Sequence, residues 1–297
     1  MGRERRLLLA WILGVLLFVA ELVTAFFSGS LALLADTGHV FLDAFALSLA
    51  YWASLFARRR PDHKYTYGYH RVEVLAAALN ALLLFFLVGF VVHEALGRFR
   101  SPVAIFAGPV VAMAGLGLLG NLLMAWLLHS HEKHDLNLRA AFLHVLGDAL
   151  GSVAVLLGGL SVLLFRALWV DPAASLLISG IILVGAVRVL RQTLRVLAEG
   201  VPEGYSLSEI SSAMATFPGV QEVHDLHLWS LGPGFPALTA HVVVGDLPLR
   251  EADALAENLR QMLRKRFGIE HVTLQMEVEV CSGPWCNGGA EEGKCAR

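Results

Sequence analysis

Two stretches of the sequence carry the same pair of reactive side chains at the same spacing. His39 and Asp43 lie in "LLADTGHVFLDAFALSLAYWASLF" (33–56), and His144 and Asp148 lie in "AAFLHVLGDALGSVAVLLGGLSVLLF" (140–165). A separation of four residues puts both side chains on one face of a helix, a turn apart. Brought together, the two pairs supply two imidazole nitrogens and two carboxylates, a tetrahedral set that suits Zn²⁺ at ~2.0–2.2 Å from each ligand. No thiolate makes the set soft, and four donors are too few for Ca²⁺ or Mg²⁺. One such pair is explained equally well as a polar contact between helices. Its repetition on a second apolar segment favours a metal site, because ionisable groups inside a membrane mark ion pathways. Asp36 lies one turn before His39 on the same stripe. It is expected to accept a hydrogen bond from a ligand, to relay a proton or to cap the helix, with direct ligation the lesser alternative.

Imidazole binds metal when neutral and takes up a proton near cellular pH once the metal leaves. Metal and protons therefore compete for the same side chains. That competition suffices for antiport if the site is exposed alternately to the two sides of a membrane.

The segments that must position these groups are set by hydropathy. Of 297 residues, 56% are hydrophobic and only 16% are charged, with a mean hydropathy of +0.63. A soluble domain has about a quarter of its residues charged. Six segments are long enough to span a bilayer, at 7–27, 33–57, 72–97, 103–128, 140–165 and 172–197. The basic start "GRERR" precedes an apolar run too long for a signal peptide and without a cleavage site, so it is read as a retained first span. With the N-terminus inside, thirteen Lys and Arg fall on the inner side against three on the outer. The excess of basic residues on the inner side predicts that both termini are cytoplasmic.

Residues 1–200 carry net charge +4, whereas residues 201–297 carry −6. The chain is thus expected to divide into a membrane domain over 1–200, a water-soluble domain over 201–280 and a Cys-containing tail over 281–297. No basic patch suits nucleic acid. After Pro202, "SLSEISSAMATF" has helical spacing and "VQEVHDLHLWSLG" alternates like a strand. "PALTAHVVVGD" reads as a second strand, "LREADALAENLRQMLRKRF" as an amphipathic helix and "EHVTLQMEVEV" as a third strand. The order αββαβ predicts a small α+β domain with helices over one face of a sheet.

The stretches "SGSLALLADTGHVFLDA" (28–44), "YTYGYHRVEVLAA" (65–77), "HVLGDALGSVAVL" (144–156), "VDPAASLLISG" (170–180), "LAEGVP" (197–202) and "HDLHLWSL" (224–231) occur together and in this order. In them the chain resembles the cation diffusion facilitators, specifically the zinc-exporting branch, over nearly its whole length. The resemblance implies six transmembrane helices, a ferredoxin-like cytoplasmic domain, a homodimer and proton-coupled export of Zn²⁺. It also implies a transport site made of His39, Asp43, His144 and Asp148. In the cytoplasmic domain it implies metal binding by His224, His241, Glu277, Cys281 and Cys286. Strict strand alternation would put His227 on one face with Asp225 rather than with His224. Cys295 has no assigned partner, and a reducing cytoplasm argues against structural disulfides.

The sequence also departs from the family. Some members bind a second metal between spans two and three through Asp and His, where this chain has Tyr65 and Tyr69. Asp62, His63 and His70 remain nearby, but an inner loop anchored by Arg58–Arg60 at lipid headgroups is the expectation. In "HSHEKHD", His129, His131 and His134 are read first as a solvated linker. Glu21, Asn80 and Asn121 are read as helix–helix contacts, and Gly147 and Gly151 as a small-residue packing surface.

Two other functions fit parts of the pattern. A membrane zinc enzyme would need an open coordination position, which four donors close. A membrane-anchored metal sensor leaves both His/Asp pairs unexplained. The ligand types favour Zn²⁺ over Mn²⁺ and admit Cd²⁺ and Co²⁺. Compact loops favour a bacterial cytoplasmic membrane.

Overall fold

The structure, a computed structural model, describes residues 17–129 and 136–280; within these, the side chains of 127–129, 136–141, 143 and 144 are outside the description. Six helices come first: α1 (described over Leu17–Ser28), α2 (Leu31–Ala57), α3 (Arg71–Arg100), α4 (Ala107–His129), α5 (Leu136–Phe165) and α6 (Val170–Leu197). Among the described residues, five of them are long and apolar enough to cross a membrane. They coincide with the second to sixth spans expected from hydropathy, and α1 falls within the first. The molecule is a membrane helical bundle followed by a small α+β domain.

The chain divides into two compact units. One runs up to Leu49 and from Leu79 to Leu190; the other takes Ala50–Ala78 and the chain from Arg191 onward. In the first unit, large side chains such as Phe86, Leu119 and Leu164 point outward, while the buried cluster is rich in Ala25, Ala32, Ala35, Ala95, Ala114 and Ala186. Lipid solvates Leu and Phe as well as a protein interior does, so helices associate through small residues that allow close approach.

The start of α2 is held by another helix. Asp171, in the first turn of α6, accepts from the Leu31 amide at 2.9 Å and from Ser30 Oγ at 2.5 Å. Ser30 Oγ in turn accepts from the Leu33 amide at 3.2 Å, the usual service of an N-cap serine. Arg98 near the end of α3 reaches Asp171 at 3.6 Å and donates to the Gly29 carbonyl at 2.5 Å. Orphan amides at a helix start need acceptors, and inside apolar surroundings the sixth span supplies one.

The second unit contains α7 (Leu207–Ala215), β1 (Glu222–Gly232), β2 (Phe235–Val243), α8 (Leu249–Phe267) and β3 (His271–Glu277), the αββαβ order read from the sequence. β1 and β2 pair antiparallel, β2 and β3 parallel, in the order β1-β2-β3. Ile210, Met214, Leu259 and Leu263 of the helices pack on Leu228, Leu238 and Val242 of the sheet. Ser206 caps α7 by accepting from the Glu209 amide at 3.3 Å. α8 stops at Gly268, whose φ of 69° is left-handed, and the Ile269 amide returns to the Leu263 carbonyl.

β1 is not a regular strand. His224 is opposite His241 and His227 is opposite Thr239, so three steps on β1 match two on β2. The extra residue is a β-bulge, and Asp225 within it has φ 48°. His224 and His227 therefore face the same side. The bulge overturns the strict alternation expected from the sequence.

Candidate metal centres

The first cluster lies between α2 and α5. His39 Nε2 is 3.6 Å from Asp43 Oδ2 and 3.9 Å from Asp148 Oδ1. One ligand atom from each of the three lies within 4.8 Å of the others. Donors around a tetrahedral zinc are roughly 3.3–3.6 Å apart, given bonds of ~2.0–2.2 Å. The two spacings from His39 lie at or just beyond that range. All three side chains are about one-fifth to one-quarter exposed. His144 is one turn before Asp148 on α5, but its side chain lies outside the described residues.

Asp36 lies against α5 as well. It is 7% exposed, and a Cβ on Gly151 would lie 2.7 Å from its Oδ1. Gly151 thus makes room for a buried carboxylate, whereas a Cβ on Gly147 would meet nothing within 4 Å among the described residues. The two glycines expected to form one packing surface have different surroundings. Glu21, also buried, sits in the same way against Gly117, where an added Cβ would be 2.7 Å from Oε1. Asn121 donates to Ser152 Oγ at 3.3 Å, a helix–helix bond of the expected kind.

The second cluster lies on the sheet. The β1–β2 register sets His224 beside His241, with ring centroids 5.2 Å apart. The parallel β2–β3 register brings Glu277, opposite Val243, to the same end. Glu277 Oε2 is 3.1 Å from His224 Nε2, and its Oε1 is 2.9 Å from His241 Nδ1. Ligand atoms of these three residues again fall within 4.8 Å of one another, and two imidazoles with one carboxylate form a fitting set for zinc. Cys281, Cys286 and Cys295 lie outside the described residues, as do His131 and His134 and the side chain of His129.

The loop between α2 and α3 is organised by hydrogen bonds. Asp62 Oδ2 accepts from the Tyr69 hydroxyl at 2.6 Å, and Oδ1 accepts from the amides of Lys64 and Tyr65, each at 2.8 Å. The Tyr69 hydroxyl, then the two amides, hold the Asp62 carboxyl below its ordinary range, and the same bond raises the Tyr69 phenol. His63 is exposed, and His70 stacks on Phe235 at 4.8 Å. A cavity of about 1340 Å³ opens beside this loop, lined by Tyr67, His70, Arg71, His227 and Trp229 among others.

The approach of Asp225 to His241 and the capping of α2 by Asp171 were not read from the sequence. An aspartate in the first turn of a span, just before Pro172, was the available signal for an acceptor at a helix start. The bulge that re-aims Asp225 leaves no mark in residue types.

A helical membrane bundle with a His/Asp cluster between two spans, joined to a metal-compatible α+β domain, defines a membrane transporter of cations. Residues 7–198 match the cation efflux transmembrane domain and residues 202–279 match the cation efflux protein cytoplasmic domain. The chain belongs to the cation efflux family, whose members are transporters and not enzymes. It is 41% identical over 288 residues to the zinc transporter ZitB of Escherichia coli, covering 96% of this chain and 91% of that one. It is 40% identical to the metal cation efflux system protein CzcD of Cupriavidus metallidurans, covering 94% of this chain and 88% of the other. A cadmium, cobalt and zinc/H⁺-K⁺ antiporter of Bacillus subtilis is 36% identical, with 94% and 90% covered. A solved structure of the metal-bound C-terminal domain of CzcD is 42% identical, covering 25% of this chain and 99% of that one, with a TM-score of 0.22.

Proposed function

We propose that the chain exports Zn²⁺, and with it Cd²⁺ or Co²⁺, from the cytoplasm in exchange for protons. His39, Asp43, His144 and Asp148 bind the ion as cargo. The observation that carries this reading is the approach of His39 and Asp43 on α2 to Asp148 on α5. Two carboxylates offset the charge of a divalent ion, which lowers the cost of holding it in an apolar bundle. Release to the far side leaves those groups to take up protons, and their return to the cytoplasmic side frees the site for the next ion. Alternating exposure of the site completes the cycle. The names of the relatives, which specify zinc, cadmium and cobalt and in one case H⁺, agree with this chemistry.

In this reading residues 1–200 transport, residues 201–280 bind metal and pair two copies of the chain, and residues 281–297 bring Cys281 and Cys286 to the His224–His241–Glu277 set. The host is a bacterial cytoplasmic membrane with both termini inside. The decisive test is flux in reconstituted vesicles. Zinc should move against a proton flow, and Asp43→Ala should reduce both to background while the protein still expresses and dimerises. Undiminished flux in that variant would overturn the site assignment. A competition series with Zn²⁺, Cd²⁺, Co²⁺ and Mn²⁺ ranks the cargo.

A further inference from the structure

We infer that Asp225 is a positioning residue of the cytoplasmic metal centre, which fixes the His241 ring so that Nδ1 is the nitrogen that binds metal. The inference rests on the proposed binding of metal by His224, His241 and Glu277.

The geometry supports it in three ways. His241 turns Nδ1 toward Glu277 Oε1 at 2.9 Å, and its other nitrogen, Nε2, lies 3.5 Å from Asp225 Oδ2. A metal-binding histidine commonly donates its far N–H to a carboxylate, which sets the tautomer and makes the ligating nitrogen more basic. Asp225 is itself held, because its Oδ1 is 3.0 Å from His227 Nε2. The side chains thus alternate as His227, Asp225, His241, Glu277 and His224, each carboxylate set between two imidazoles.

Its backbone is the third observation. Asp225 has φ 48° at the bulge between His224 and His227. In a regular strand Asp225 would face away from His224; the bulge returns its carboxylate to the face of His241. Left-handed backbone is unfavourable for residues other than glycine, and aspartate is among those that tolerate it best. The strained position is coupled to an aim that a regular strand would not give. His227, on the same face and 56% exposed, orients the carboxylate from outside the cluster.

The test uses the full-length protein in detergent, with zinc as the probe and a chelator in competition. Glu277→Ala first identifies the class of zinc bound at this centre. Asp225→Gly keeps the backbone at ease and removes the carboxylate; Asp225→Asn keeps the shape and removes the charge. We expect Asp225→Gly to weaken the Glu277-dependent class by ~10–100-fold, with Asp225→Asn intermediate. In ¹⁵N-histidine spectra of the zinc-loaded protein, His241 should show metal on Nδ1 and a proton on Nε2 in the wild type, and a mixture of Nδ1- and Nε2-bound rings in Asp225→Gly. A purely structural role would be met by glycine, leaving affinity and the ligating nitrogen unchanged, and that result overturns the inference. Absence of any Glu277-dependent zinc class in the wild type would instead bring down the metal centre itself, and this role with it.

Discussion

Individual side chains in the bundle are placed by what faces them. Gly151 and Gly147 lie one turn apart on α5, on either side of Asp148, yet a methyl group at the first would press on the Asp36 carboxylate and at the second would meet nothing among the described residues. Gly151→Ala should therefore destabilise the bundle by about 1–3 kcal/mol, the usual cost of overpacking, and slow zinc flux by disturbing the helices that carry the ligands. Gly147→Ala should be neutral or raise stability by up to about 1 kcal/mol, since alanine is the better helix former. Thermal unfolding in detergent, with flux measured in parallel, separates the two. The cluster of His39, Asp43 and Asp148 was legible in the sequence because the His-x-x-x-Asp spacing is local. The different surroundings of two similar glycines were not, since they depend on which helix comes alongside.

Whole elements depend on contacts that are remote in sequence. The first turn of α2, which leads into Asp36, His39 and Asp43, is capped by Asp171 from 140 residues away. Asp171→Ala would remove the acceptor of the Leu31 amide and of Ser30 Oγ, while Arg98 keeps Glu94 at 3.1 Å; each buried donor left unsatisfied costs about 1–3 kcal/mol. The melting temperature should fall sharply, with Asp171→Asn falling less because it still accepts hydrogen bonds. In the α2–α3 loop, Asp62 is held below its ordinary range chiefly by the Tyr69 hydroxyl. A depressed carboxylate favours the folded loop above the unfolded value of about 3.9 and ceases to do so as pH falls through the folded one. Tyr69→Phe should raise the Asp62 midpoint toward that ordinary value, as read by carboxyl ¹³C titration. An unmoved midpoint would show that the backbone amides alone set it. Helix and strand limits were readable because hydropathy and alternation are short-range. The bulge in β1 was not, because its register is decided by pairing with β2.

At the scale of the whole molecule, transport and cytoplasmic metal binding are assigned to different residues and should be separable. Cys281→Ser with Cys286→Ser is expected to weaken zinc binding by the cytoplasmic domain or to change its regulation of transport, while metal flux persists. Metal titration and vesicle flux on the same preparation check this, and loss of all flux would contradict the separation. The sequence by itself determined the number and order of the helices, the αββαβ tail and the chemical types of the candidate ligands. Each of these follows from composition and from spacing within one turn or one strand. Only the tertiary structure decided that α2 meets α5 at Asp148, that α6 caps α2, and that Asp225 turns back toward His241. Those outcomes depend on packing and strand register between distant segments, where many partners share the same residue types and only the folded arrangement selects among them.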